Sequence, residues 1–174
     1  IPKPLKASLA IRTEAFFLKR ADIVITVGQR LADDLYKRGV SEVVIVGNWK
    51  PLKKYALDEN RLKEKREQYN LDRFKLIVSY FGVLNEERQI DMLIGAMKKT
   101  PTIGLLIAGK GDFRQTVIEA SQNHPNIIWL DWLAYDEVPL YTGLCDVIYA
   151  CLKSVSGNPE FMAPNKLFDG FAAG

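Results

Sequence analysis

Apolar residues recur along this chain in two rhythms. Short β-branched runs alternate with longer stretches that place apolar residues at helical spacing. Residues 5–20 mix Leu5, Leu9, Phe16 and Phe17 with Lys6, Arg12, Glu14 and Lys19, which predicts a helix. The run 22–27 predicts a buried strand closed by Gly28. A helix over 29–38 follows, with Leu31 and Leu35 on one face and Gly39 as its stop, and then a strand over 43–46 ending in Gly47-Asn48. Residues 49–55 are irregular, with Trp49, Pro51, Lys53, Lys54 and Tyr55. Residues 58–69 predict a charged helix with little apolar face, of the kind that bridges domains. The alternation then restarts, with strands over 76–80, 103–108, 126–130 and 146–150. Helices are expected over 88–99, from an Asp112 N-cap to about 122, over 136–141, and from Pro164 to the end.

Apolar strands alternating with helices imply an α/β fold, a parallel Rossmann-like sheet with helices on both faces. Right-handed crossovers put every segment that follows a strand at one sheet edge, where open α/β sheets bind ligands. That edge collects 82–88, 109–112, 131–134 and 151–165. A boundary falls between 49 and 72, dividing an α/β unit over 1–48 from a second body over 73–174.

Charge and composition narrow the chemistry. The chain has 174 residues, 48% of them hydrophobic, and 24 basic against 21 acidic residues leave a net charge of only +3. Nucleic-acid binding is not expected, since it asks for a strongly basic face, whereas an anionic small molecule or contact with a membrane surface is compatible. No apolar run reaches the length of a membrane span. The chain begins without Met and stops directly after a helix, so a fragment of a longer protein is expected. Cys145 and Cys151 flank a predicted strand on one face, too far apart for a disulfide, and are expected as buried thiols in a reducing cytoplasm. The one histidine, His124 before Pro125, leaves no His-rich metal site.

Candidate chemistry gathers at the expected sheet edge. In Phe81-Gly-Val-Leu-Asn-Glu-Glu-Arg88, Gly82 lets backbone approach a ligand, and Arg88 at a helix start could grip a diphosphate. The same segment also reads as an ordinary turn with Arg88 in water. Gly109-Lys110-Gly111 after a strand resembles half of a dinucleotide fingerprint without its third glycine, and reads equally as a plain turn. Asp131-Trp132-Leu133-Ala134 could line a base pocket, or Trp132 could simply pack. In Glu160-Phe-Met-Ala-Pro-Asn-Lys-Leu-Phe-Asp169, a helix start suits a phosphate and two carboxylates suit sugar hydroxyls. The alternative is an amphipathic helix packing Leu167, Phe168 and Phe171.

Taken together, these segments resemble one family, the group 1 retaining glycosyltransferases of the GT-B fold. The resemblance rests on Ala21-Asp-Ile-Val-Ile-Thr-Val-Gly-Gln-Arg-Leu31, Val43 to Asn48, Gly82 to Arg88, Leu106-Ile-Ala-Gly-Lys-Gly-Asp112, Ile128 to Leu140 and Glu160 to Gly174. It implies a truncated GT-B arrangement, in which 1–48 ends an acceptor domain, 49–72 is the crossover, and 73–174 is a nucleotide-sugar donor-binding domain.

The resemblance also assigns roles. Arg88 matches the second member of a basic pair that holds the donor diphosphate, while Val83 stands where its first member, an Arg, is expected. Lys110 or Lys166 could replace it. Asp169 matches the carboxylate that holds ribose hydroxyls. The carboxylate beside the transferred sugar falls at Phe161, one residue from Glu160, and a bent loop would bring Glu160 into place. Arg88 and Glu160 are thus the expected catalytic residues, with Gly82, Gly109, Lys110, Leu133, Asn165, Lys166 and Asp169 binding the donor. The implied activity is sugar transfer from a nucleotide-diphosphate donor to a sugar or lipid-linked sugar acceptor with retention, with no cofactor and no metal, in the cytoplasm or at the inner membrane face. The chain alone is expected to bind donor without turnover. Two alternatives stay open. One is a nucleotide-sugar 2-epimerase of GT-B fold, which needs a histidine in the cleft. The other is a non-catalytic module, which the departures at Val83 and Glu160 keep in view.

Overall fold

The computed structural model describes residues 4–153 and 164–174. Among these the chain divides into two units, one ending at Asn48 and the other beginning at Trp49. The first holds helix α1 (Pro4–Leu18), strand β1 (Val24–Thr26), helix α2 (Gln29–Lys37) and strand β2 (Val43–Ile45). β1 and β2 pair in parallel, Val24 opposite Val43 and Thr26 opposite Ile45. Helix α2 buries Ala32 and Leu35 on one face. It stops where expected, because Gly39 takes φ 86°, a left-handed conformation that costs glycine no Cβ clash. An ion pair between Arg38 and Glu14 of α1, at 2.6 Å, ties the helices of this unit together.

The second unit opens with an irregular segment, a 3-10 turn over Leu52–Lys54 and helix α3 (Glu59–Gln68). The Asp58 side chain caps α3 by accepting from the Asn60 backbone N–H at 2.9 Å. There follow β3 (Leu76–Phe81), α4 (Ile90–Lys99), β4 (Ile103–Ala108), α5 (Arg114–Asn123), β5 (Ile127–Trp129), α6 (Val138–Thr142), β6 (Val147–Ile148) and α7 (Asn165–Ala173). The sheet order is β5-β4-β3-β6 and every pairing is parallel.

Period-two alternation splits the strand side chains between two cores. Tyr80, Leu105, Ile107 and Ile127 pack with Ile90, Leu93, Ile94 and Met97 of α4 and with Val117 and Ala120 of α5. On the other face Ile77, Leu106 and Ala108 meet Leu71, Leu133, Tyr141 and Leu144, and α3 adds Leu62 to that layer. A sheet buried on both faces explains why β3 and β4 read as nearly continuous apolar runs. Among the described residues, no helix is long and apolar enough to cross a membrane.

Three local expectations are corrected. Arg88 does not start α4: it ends a 3-10 turn over Glu86–Arg88, and Gln89 at φ 52° separates it from the helix. The Asn85 side chain accepts from the Arg88 N–H at 3.2 Å and closes this turn on itself. Asp112 is not the N-cap of α5; that position is Phe113, with no side-chain cap, because the chain is still leaving the left-handed Gly111 at Asp112. The cysteines are free but do not share a strand face. Cys145 lies in the turn before β6 and donates to the Tyr141 carbonyl at 3.1 Å, whereas the Cys151 sulfur accepts from Gln89 Nε2 at 3.1 Å.

Candidate functional site

Strand order locates the site. From β3 the chain moves outward through β4 to β5, then crosses back to lay β6 against the other side of β3. The connections leaving β3 and β6 therefore diverge, and the crevice between them at the strand carboxyl ends is a topological switch point. The loop after β3 carries Gly82 to Arg88, and the chain after β6 leads to α7.

Backbone bonds lace the loops of this edge together. The Gly82 N–H donates to the Ala108 carbonyl at 3.0 Å, Leu84 N–H to Lys110 at 2.8 Å, and Gly109 N–H to Asp131 at 2.8 Å. The approach is so close that only glycine fits. A Cβ on Gly109 would stand 1.7 Å from the Gly82 carbonyl oxygen, and one on Gly111 would stand 2.3 Å from that of Leu84. The Gly-x-Gly after β4 thus holds the neighbouring loop in place. Gly82 itself, at φ 154°, has no such crowding: the nearest atom to an added Cβ would be Lys166 Nζ at 3.6 Å. The buried Tyr80 donates its hydroxyl to the Val83 carbonyl and pins the loop from below. Burial pushes the Tyr80 phenol up to about 12, so it remains a donor.

Lys166 reaches into this loop from the first turn of α7. Its ammonium lies 3.6 Å from the centroid of the Tyr80 ring, a cation–π contact. Burial, and next the charge of Arg88, hold its pKa down at about 8, against an opposing pull from Asp169. Arg88 ends the turn of this same loop, near enough for its charge to bear on Lys166. The helix itself adds polarity, because Pro164 caps α7 without a side-chain bond; in the first turn Leu167 N–H donates to the Pro164 carbonyl at 3.1 Å.

Asp169, one turn further along α7, sits in a second polar cluster. Its Oδ1 accepts from the Tyr55 hydroxyl at 2.6 Å and from Lys50 Nζ at 3.1 Å. The Lys50 side chain is 7% exposed and that of Asp169 13%. Lys50 also lies 3.4 Å from Asn165 Oδ1 and 3.5 Å from the Tyr135 hydroxyl. Burial works against the Lys50 charge, but the bond and charge of Asp169 outweigh it and the net shift is upward. The Tyr55 phenol is raised strongly, by burial first and then by its bond to Asp169.

The expected residues are only partly gathered. Gly82 and Lys166 come together at the switch point, Arg88 ends the turn of the same loop, and Asn165 and Asp169 lie on α7 with Lys166. Lys110 turns elsewhere, with its ammonium 4.5 Å from the Trp132 ring centroid, and Trp132 is largely exposed. Leu133 is buried in the second apolar cluster beneath this loop. Glu160 and Phe161 lie outside the described residues. Lys50, Tyr55, Tyr80 and Tyr135 are additions that sequence reasoning missed. Tyr55 and Asp169 are 114 positions apart, and no spacing pattern announces such a pair. Among the described residues no group of three or more His, Cys, Asp or Glu could hold a metal ion. A cavity of about 310 Å³ beneath α7, lined by Cys145, Ile148, Gly170 and Phe171 among others, includes none of these site residues.

No protein-family model matches the sequence, and no curated protein does. Solved structures do resemble it. HepE from Anabaena in complex with UDP aligns over 93% of this chain and 46% of its own, with a TM-score of 0.72 and 16% identity. The same protein with UDP and glucose aligns over 93% and 45%, with a TM-score of 0.70 and 17% identity. Sucrose-phosphate synthase from Thermosynechococcus elongatus aligns over 89% and 42%, with a TM-score of 0.59 and 16% identity. The chain spans less than half the length of these neighbours. At such identity the likeness speaks for the fold, and the fold is the Rossmann-like α/β arrangement of GT-B structures.

Proposed function

We propose that this chain binds a nucleotide-diphosphate sugar at the β3/β6 switch point, as part of a glycosyltransferase that passes the sugar to an acceptor with retention of configuration. The observation that carries the reading is the placement of Lys166 and Arg88 at the Gly82 loop. Burial first, and then the charge of Arg88, depresses the Lys166 pKa, and a diphosphate between the two cations would relieve both the desolvation and the repulsion. The structural neighbours HepE, seen with UDP-glucose, and sucrose-phosphate synthase support the same class.

In this scheme the chain's groups act on the leaving group. The first-turn N–H groups of Asn165 and Lys166 donate to phosphate oxygens, the Gly82 loop lets the diphosphate approach closely, and Arg88 and Lys166 supply positive charge. Charge that develops on the diphosphate as the glycosidic bond breaks is stabilised by dipoles and cations already in place. Side-chain cations take the role a metal would otherwise fill. Asp169 accepts from ribose hydroxyls, Leu133 and the backbone around Asp131 form the floor beneath the base, and Gly109 keeps the Gly82 loop in position. Glu160 acts at the transferred sugar. The acceptor, a sugar or a lipid-linked sugar, binds outside this unit, at a cytoplasmic membrane face or in the cytoplasm. This chain binds donor and does not turn it over.

A second reading is a donor-binding module without transfer. Val83 favours it: the residue is 54% exposed in the loop and carries no charge where the resemblance expects an Arg. A thermal-shift screen of uridine, guanosine and adenosine diphosphate sugars tests the binding claim. A donor at a hundred times its Kd is expected to add about 2.7 kcal/mol of stability. No shift with any of them would defeat the proposal, while binding without sugar transfer by the longest available form of the protein would favour the module.

A further inference from the structure

The segment leading into α3 reaches the donor site from outside the sheet. Trp49 packs edge-to-face on Phe168 of α7, with ring centroids 5.3 Å apart, which seats the segment on the helix. Lys50 and Tyr55 then converge on one oxygen of one carboxylate, Asp169 Oδ1. A carboxylate has about four acceptor directions, two on each oxygen. The phenol and the ammonium occupy those of Oδ1, so a ligand hydroxyl is left to Oδ2. The side chain cannot rotate to offer Oδ1 without breaking both contacts. Asn165 and Tyr135 in turn fix Lys50, at 3.4 and 3.5 Å.

We infer that Lys50 and Tyr55 are positioning residues for the nucleoside part of the donor: they lock Asp169 so that Oδ2 accepts from the vicinal ribose hydroxyls. This rests on the donor reading above and adds two residues to which that reading gives no part. It also gives the 49–55 segment a task in recognition, since it discriminates ribose from deoxyribose without touching the sugar.

The test separates the two ideas with three probes: UDP, 2′-deoxy-UDP and inorganic pyrophosphate, titrated by calorimetry into the wild type, Tyr55→Phe, Lys50→Met and Asp169→Asn. The wild type is expected to bind all three and to prefer UDP over its deoxy analogue by about tenfold or more, the usual effect of losing a hydrogen bond to a charged group. In Tyr55→Phe and Lys50→Met the preference falls towards one, as it does in Asp169→Asn, while all three still bind pyrophosphate and the charge-neutral Tyr55→Phe keeps its affinity within about twofold. Retained pyrophosphate binding shows that these variants are folded. Should Tyr55→Phe and Lys50→Met keep the wild-type preference while Asp169→Asn loses it, the positioning role is wrong and the donor reading stands. Should the wild type bind neither nucleotide nor pyrophosphate, the donor reading fails and this inference with it.

Discussion

Lys166 concentrates the electrostatics of the site in one side chain. Its folded pKa, about 8, lies below the ordinary lysine value of 10.5, so the fold disfavours its charged form. The penalty is therefore present below about pH 8 and disappears as pH rises from 8 towards 10.5. Two outcomes follow. Lys166→Met is expected to raise the unfolding free energy at pH 7 by up to about 3 kcal/mol. The wild-type advantage gained between pH 8 and 10.5 should be missing from the variant, as urea denaturation at several pH values will read. Diphosphate binding should also restore the proton. Titration calorimetry at pH 9 in buffers of different ionisation enthalpy is expected to show uptake approaching one proton in the wild type and none in the variant. The sequence singled out Lys166, Arg88 and Asp169 because a helix start and a β–α loop have local signatures. It did not single out Lys50 or Tyr55, because their partner is more than a hundred positions away and an irregular segment has no period to read.

At the scale of elements, the β3 and β4 loops behave as one construction. Gly109 permits contact between them, whereas Gly82 faces Lys166 and Tyr80, and alanine substitutions should separate these tasks. Gly109→Ala places a Cβ against the Gly82 carbonyl and is expected to cost about 2–4 kcal/mol of stability through overpacking and backbone strain. Gly82→Ala meets Lys166 Nζ and the Tyr80 hydroxyl only at ordinary contact distance, so it adds backbone strain without overpacking and should cost less, about 1–2 kcal/mol, yet weaken diphosphate binding by obstructing the close approach. A reversed order of stability losses, measured by chemical denaturation, would contradict this division. The strands were legible as apolar runs and the helices as periodic ones. The beginnings of α4 and α5 were not, since a left-handed Gln89 and an uncapped Phe113 depend on how the loops pack. The Gly-x-Gly was visible as a motif, but its partner, the carbonyl of a loop on the neighbouring strand, was not.

At the scale of the whole molecule, the claim rests on topology. Alternating elements were enough to predict a parallel sheet and to send every loop to one edge. They could not order the strands, and it is the order β5-β4-β3-β6 that sets the Gly82 loop and α7 on opposite sides of one crevice. In the proposed reading, cations brought to that crevice from the β3 loop and from α7 hold the diphosphate; left on separate edges, they would be solvated surface charges. The most direct measurement is calorimetric titration of UDP into the wild type and into the double variant Arg88→Met/Lys166→Met, with circular dichroism to show that both are folded. Saturable binding to the wild type, weakened about a hundredfold or more in the double variant, is the predicted result, since hydrogen bonds to charged groups contribute about 1.5–3 kcal/mol each. Equal affinity in the two folded proteins, or no binding to the wild type, would contradict the account.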